Sequence, residues 1–238
     1  MTETTTKGSS LGMAVMGGVI GAVMTAAVLV FATPQFLSRS IVRQGMLADP
    51  QILVEASDAL RDRQTAPLIA SSRSALETPF ASSWKGAEKP EVVLVEFYDY
   101  ACPYCKASNP HVDRLLKEKP GLRVVYRELP ILGQDSVEAA RLSLAASKAG
   151  RFRQFHDALY AAGRPAPDTN AAAARVANIA PTPAQDPAIE AELKRNFEIA
   201  SRLGATGTPL FVVGDRVLNG AVGYDALKQA IEAASKKS

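Results

Sequence analysis

The chain has 238 residues, 47% of them hydrophobic, and a formal net charge of only +3. That length suits one ordinary domain with appendages, or at most two small ones, and the apolar share suffices for a substantial buried core. No long run of like charges occurs, which excludes the clustered basic face that a nucleic-acid partner requires, and the only two cysteines, Cys102 and Cys105, exclude a disulfide-stapled scaffold.

After a short N-terminal tail (1–10), residues 11–32 carry no charge, and Thr25 is their only side chain with a hydrogen-bonding group. About 20 such residues span the hydrocarbon core of a bilayer as a helix, so this stretch is expected to be a transmembrane anchor in contact with lipid. The competing reading is a cleavable signal ending near Ala32. Charges on either side of the span nearly balance and do not orient it. A dithiol pair on an exported domain suits an oxidising compartment. The expectation is therefore a single-pass inner-membrane protein with its catalytic domain in the periplasm of a bacterium, or a soluble periplasmic protein after cleavage.

Residues 33–79 form a separate extension. Asp49 is placed as an N-cap and Pro50 at the first helical position, with Leu53, Ala56 and Leu60 on one face. A helix of about 14 residues is too short to stand alone, so it must pack on the main domain or on copies of itself, which makes a homo-oligomer possible. Residues 65–90, rich in Ser, Thr, Ala and Pro, are expected to be a linker.

From about residue 80 to 238, strands and helices alternate. A buried strand is predicted over 91–98 and a helix over 103–118, followed by a second strand over 122–129. Helices follow over 136–148, 151–162, 170–179 and 187–203, the last opened by Asp186 and Pro187 and closed by Gly204. Strands over 210–213 and 216–218 flank Gly214-Asp215 as a tight hairpin, and a last helix covers 223–235. This order predicts an α/β thioredoxin fold, a mixed sheet between helices, with a helical insertion at about 136–203.

The chemistry sits in Cys102-Pro103-Tyr104-Cys105. Positions i and i+3 share a helix face with Cβ atoms about 5–6 Å apart, close enough for a disulfide after a slight tightening of the first turn. Cys102 falls at a helix N-terminus, where free N–H groups and the positive end of the dipole stabilise a thiolate. Cys105, one turn deeper, suits a resolving role, and Pro103 fits the helix start. Zinc would need two further ligands, and His111 and His156, the only histidines, stand at no recognised spacing and are read as surface or packing side chains. Phe97, Tyr98 and Tyr100 are read as core and rim aromatics. Asp99, on a loop, is read as solvated.

The run from Glu96 to Cys105 (EFYDYACPYC) resembles the active-site region of the DsbA-like thioredoxin superfamily. Over about residues 80–238 that resemblance implies a thiol:disulfide oxidoreductase that needs no cofactor or metal. It implies catalytic roles for Cys102, Cys105 and Glu96, a redox-active Cys102–Cys105 disulfide, and a buried Glu96 that helps move a proton from the inner thiol. Pro110 matches the proline that kinks the active-site helix. Thr208-Pro209 resembles the cis-proline loop that docks substrate, with Pro103 and Tyr104 completing the substrate-binding set. Residues 41–64 resemble the N-terminal extension of ScsC-like members, which oligomerises some relatives. Clients with thiols or disulfides, and a DsbB-like or DsbD-like membrane redox partner, follow from the same resemblance. The alternative is a protein that handles Cu(I) between the two thiolates.

Overall fold

The structure, a computed structural model, describes residues 33–181 and 185–236. The expected membrane span at 11–32 lies outside the described residues; among those described, no helix is long and apolar enough to cross a membrane. The chain divides into two units, one running to Ala59 and one from Leu60.

In the first unit, α1 (Thr33–Ala48) is followed by the start of α2 (Gln51–Glu77). Asp49 caps α2 as expected, its Oδ1 accepting the Gln51 N–H at 3.1 Å. Ile41, Val42, Leu47, Ile52, Leu53 and Val54 are all exposed.

In the second unit the expected linker is not there. Residues 65–77 continue α2 through Pro67, and Thr65, Ile69 and Leu76 are buried. Local composition favours a loop here, yet Ile69 and Leu76 join an apolar cluster with Val95, Phe97, Val125, Ile199, Leu203 and Val212. Tertiary burial of an amphipathic face outweighs propensity in helices generally, and it does so here.

A five-stranded sheet forms the middle layer: β1 (Trp84–Gly86), β2 (Val92–Tyr98), β3 (Leu122–Glu128), β4 (Leu210–Val213) and β5 (Arg216–Asn219), in spatial order β1-β3-β2-β4-β5. Only the β2–β3 pair is parallel; the other three are antiparallel. The connection between β2 and β3 is α3 (Pro103–Glu118). Between β3 and β4 the chain inserts α4 (Gln134–Lys148), α5 (Phe152–Ala162), α6 (Pro167–Val176) and α7 (Pro187–Arg202), and α8 (Gly223–Ser235) closes it. This is the thioredoxin-like mixed sheet with a helical insertion. β1 is too short to leave a periodic signal, and Gly86 at its end has φ +100°, where an added Cβ would come within 2.2 Å of the Leu122 carbonyl oxygen.

Alternation along β2 sorts its side chains to two faces. Leu94 and Tyr98 face α3, α5 and α8 in one apolar cluster, and Val95 and Phe97 face α2 and α7 in the other. Arg127 on β3 ties the second face together. Its guanidinium donates to the carbonyls of Ala75, Leu76 (3.1 Å) and Thr78 (2.7 Å) at the C-terminus of α2, and to Glu192 (2.7 Å) and Asn196 (2.9 Å) on α7. A buried cation here satisfies carbonyls that the helix cannot pair itself. Arg127→Ala leaves Glu192 with Arg195 alone (3.3 Å) and strands Asn196 Oδ1 and those carbonyls, and urea unfolding is expected to show a loss of about 3–5 kcal/mol; a loss below about 1 kcal/mol, the worth of an exposed pair, would contradict this.

Candidate active site

Antiparallel pairing of β2 with β4 brings the residues just before β4 beside the C-terminal end of β2, since Phe97 pairs with Leu210. That end of β2 leads through Asp99, Tyr100 and Ala101 into α3. The topology therefore places the Thr208-Pro209 loop against the start of α3, and the Thr208–Pro209 peptide is cis.

Cys102 is the N-cap of α3 with extended backbone (φ −79°, ψ 118°), and Pro103 occupies the first turn. Its N–H donates to the Asp99 carbonyl at 3.0 Å, and its carbonyl accepts from Lys106 N–H at 3.2 Å. The Cys102 thiol donates to the Thr208 carbonyl oxygen at 3.2 Å. Both cysteines are free thiols. Cys105 is fully enclosed, and burial pushes its thiol far above the ordinary thiol range; a charge on Glu96 adds to this, while hydrogen bonds from Asp99 N–H and Thr208 act against it. Thr208 thus meets the Cys102 sulfur through its carbonyl. Pro209 is buried, whereas Pro103 and Tyr104 are exposed at the rim.

Glu96 lies on the same side of β2 as Leu94 and Tyr98, 1% exposed, and neither carboxyl oxygen has a hydrogen-bond partner among the described residues. Burial raises its pKa to about 8, with the nearby Lys85 charge lowering it and Asp113 raising it further.

Three features went beyond the sequence reading. The first is a second buried acid, Glu128, also raised to about 8 by burial, against hydrogen bonds from Ser143 and Tyr98. Tyr98 bonds Glu128 and Tyr100 in turn, and the Tyr100 hydroxyl reaches Ser143 at 2.9 Å and His156 Nδ1 at 3.3 Å. The alternation Leu122, Val124, Tyr126, Glu128 carries this signal, because it sets the acid on the buried face. The second is His156, which is a packing residue, as allowed for, but inside an aromatic cluster with Tyr98, Tyr126 and Tyr160; burial holds its ring well below the ordinary histidine range. The third is Asp99, which is 1% exposed and not a solvated loop residue. Its Oδ1 accepts the Ala101 N–H at 2.8 Å, and its Oδ2 accepts the N–H groups of Ile131 (2.8 Å) and Leu132 (2.9 Å).

Among the described residues no group of three or more His, Cys, Asp or Glu is placed to hold a metal ion. With no third ligand beside Cys102 and an enclosed Cys105, the Cu(I) reading is not favoured.

This geometry has counterparts among known proteins. A periplasmic thioredoxin-like protein of Salmonella enterica serovar Typhimurium is 30% identical with a TM-score of 0.64, covering 69% of this chain and 95% of that one. ScsC of Proteus mirabilis in a transitional conformation is 30% identical with a TM-score of 0.67, covering 87% of this chain and 97% of that one. The Na(+)/H(+) antiporter NhaA 1 of Salinispora arenicola is 31% identical over 174 residues, which is 63% of this chain. The chain spans 24% of that antiporter's length, and 12% of the length of its counterpart NhaA 3 in Salinispora tropica. The DSBA-like thioredoxin domain matches residues 93–232, well over half of the sequence. The chain belongs to the DSBA-like thioredoxin domain family.

Proposed function

We propose that this protein exchanges thiols and disulfides with cysteine-containing client proteins, Cys102 making the attack and Cys105 resolving it. The observation that carries the proposal is the asymmetry of the pair: both are buried, but Cys102, 5% exposed, caps the helix, while Cys105, 0% exposed, lies one turn deeper beside an acid whose pKa burial raises to about 8. In the reducing direction, the Cys102 thiolate attacks one sulfur of a client disulfide, and the other client sulfur leaves as a thiolate. Glu96 in its carboxylate form then takes the proton of Cys105, which attacks Cys102 Sγ. The Cys102–Cys105 disulfide closes and the client's second thiolate departs. Oxidation runs the same steps backwards, with Glu96 returning the proton to Cys105 as it is released.

Thr208 before the cis-proline resembles isomerases and reductases of the superfamily more than strong oxidases, which tend to carry valine there. The favoured direction is therefore isomerisation or reduction. Wild-type protein is expected to unscramble a misbridged substrate faster than it oxidises the same substrate fully reduced. Cys105→Ser should accumulate mixed disulfides with clients and Cys102→Ser should not, as non-reducing gels would show. Equal trapping by the two variants would sink the assignment.

Glu96 fixes the pH dependence. As pH rises through about 8 the carboxyl loses its proton and becomes able to accept one from Cys105, so resolution should accelerate up to that pH and then level off. Stopped-flow kinetics on Glu96→Gln should show resolution slower by about 10²-fold, with that inflection gone. An unaltered profile would remove Glu96 from the proton path.

The exposed apolar side chains of residues 41–54 support a role for the extension in self-association. Ile69 and Leu76 belong to the core of the second unit, so the comparison is between residues 33–238 and 60–238. Light scattering is expected to find an oligomer for the first and a monomer for the second; equal monomeric masses would refute it. Residues 11–32 are proposed to anchor the chain with its domain in the periplasm, where a DsbB-like or DsbD-like membrane protein resets the pair; alkaline extraction that released the full-length chain would argue for the soluble alternative.

A further inference from the structure

Buried polar groups in folded proteins are nearly always hydrogen-bonded, to protein or to ordered water. Three side-chain oxygens on the cysteine face of the sheet have no such partner among the described residues: both carboxyl oxygens of Glu96, and the hydroxyl of Tyr160 on α5, which is 7% exposed. They share one neighbourhood. Glu96 stands between Leu94 and Tyr98 on its side of β2, opposite Tyr126 in the parallel register. The Tyr126 ring lies 4.7 Å from that of His156, and His156, one turn before Tyr160, lies 4.9 Å from the Tyr160 ring. Tyr160 also meets the rings of Tyr98 at 6.5 Å and Tyr100 at 5.0 Å. Burial holds the phenol well above the ordinary tyrosine range, and negative charge on Cys105 or on Glu96 adds to this. Tyr160 therefore keeps its proton throughout the reaction and has one hydrogen bond to give.

A carboxyl enclosed in an apolar sheet gains most from a donor when it is charged. We propose that Tyr160 is a positioning residue for the proton step: one buried water joins its hydroxyl to the Glu96 carboxyl and gives the ionised acid the donor it otherwise lacks. The proton itself passes from the Cys105 thiol to the Glu96 carboxylate, and Tyr160 gives up none. The remaining titratable groups on this face are accounted for. Lys85 of β1 is held by Asp157 at 2.6 Å and Asp113 at 3.9 Å. The Tyr98 hydroxyl is bonded to Glu128, and His156 Nδ1 to the Tyr100 hydroxyl. Tyr126 of β3 packs its ring against Phe152 and His156, while β4 and α8 contribute apolar side chains, Phe211 and Ile231 among them. Cys105 of α3 is the reacting thiol. The inference rests on Glu96 taking the proton of Cys105, as proposed above.

The test follows the resolving step by stopped flow across pH, with reduced full-length protein and oxidised glutathione as the disulfide. Tyr160→Phe removes one oxygen and keeps the ring. Loss of the donor raises the Glu96 carboxyl, so the inflection is expected to move from about 8 to about 9, with resolution at pH 7 slower by about tenfold and the deficit closing as pH rises. The infrared C=O stretch of the protonated Glu96 carboxyl, isolated by subtracting the spectrum of Glu96→Gln, should shift to higher frequency in the same variant. Tyr100→Phe removes a hydroxyl that is bonded to Ser143 and not to this site, and should leave the inflection where it is. In a Glu96→Gln background, adding Tyr160→Phe should alter the profile no further, because the two act through one group. An inflection that stays near its original pH in Tyr160→Phe, while Glu96→Gln abolishes it, overturns the proposal and leaves the reading of Glu96 standing. So does equal slowing at every pH, the mark of a loosened aromatic cluster, or the same shift in Tyr100→Phe. An inflection that survives Glu96→Gln would instead overturn the role of Glu96 on which the proposal stands.

Discussion

Glu96 holds a carboxyl inside an apolar sheet with no hydrogen bond to either oxygen among the described residues, and the chemistry of the site depends on that burial. A carboxylate so placed would carry a large desolvation penalty, whereas the neutral acid carries a modest one. The group therefore stays protonated to about pH 8, close to where a proton can be both taken and returned. Its strand makes this possible: β2 is flanked by β3 and β4, with helices covering both faces. The same enclosure raises the Cys105 thiol, so acid and inner thiol are made reluctant to ionise by one cause. Glu128, on the neighbouring strand, is equally buried but hydrogen-bonded to Tyr98. Two acids with the same shift thus differ in freedom: one is engaged in a structural network, and the other is left to exchange.

The two faces of the sheet divide the labour. On one, α3 and the inserted helices α4, α5 and α6 enclose the cysteines with Tyr98, Tyr100, Phe155 and Tyr160. On the other, α2 and α7 are clamped through Arg127 to β3, whose outer face would otherwise be open. The active turn sits where these halves meet at the end of β2. It is fixed from three directions: by the helix it caps, by the Thr208 carbonyl, and by the Asp99 carboxylate.

Much of this was legible in the sequence because it rests on strong local signals. The run that became β2 is too apolar to be anything but enclosed, and Cys102-Pro103 marks a helix start that the structure places at Pro103. Thr208-Pro209 could be read only through resemblance, since spacing says nothing about a cis bond. The rest depends on partners distant in sequence. Residues 65–77 look like a linker until Ile69 and Leu76 find Phe97 and Ile199. Asp99 looks solvated until the loop after β3 folds back to it, and Glu128 looks like an ordinary strand-end acid until Tyr98 lies across from it in the parallel register.

The central claim is that the two thiols differ in reactivity because of where the fold puts them. Limited alkylation of the reduced, folded protein with iodoacetamide at neutral pH, followed by mass spectrometry, tests this directly. A single adduct on Cys102, with Cys105 modified only after unfolding, is what the structure predicts. Early modification of Cys105, or equal rates at both cysteines, would contradict it.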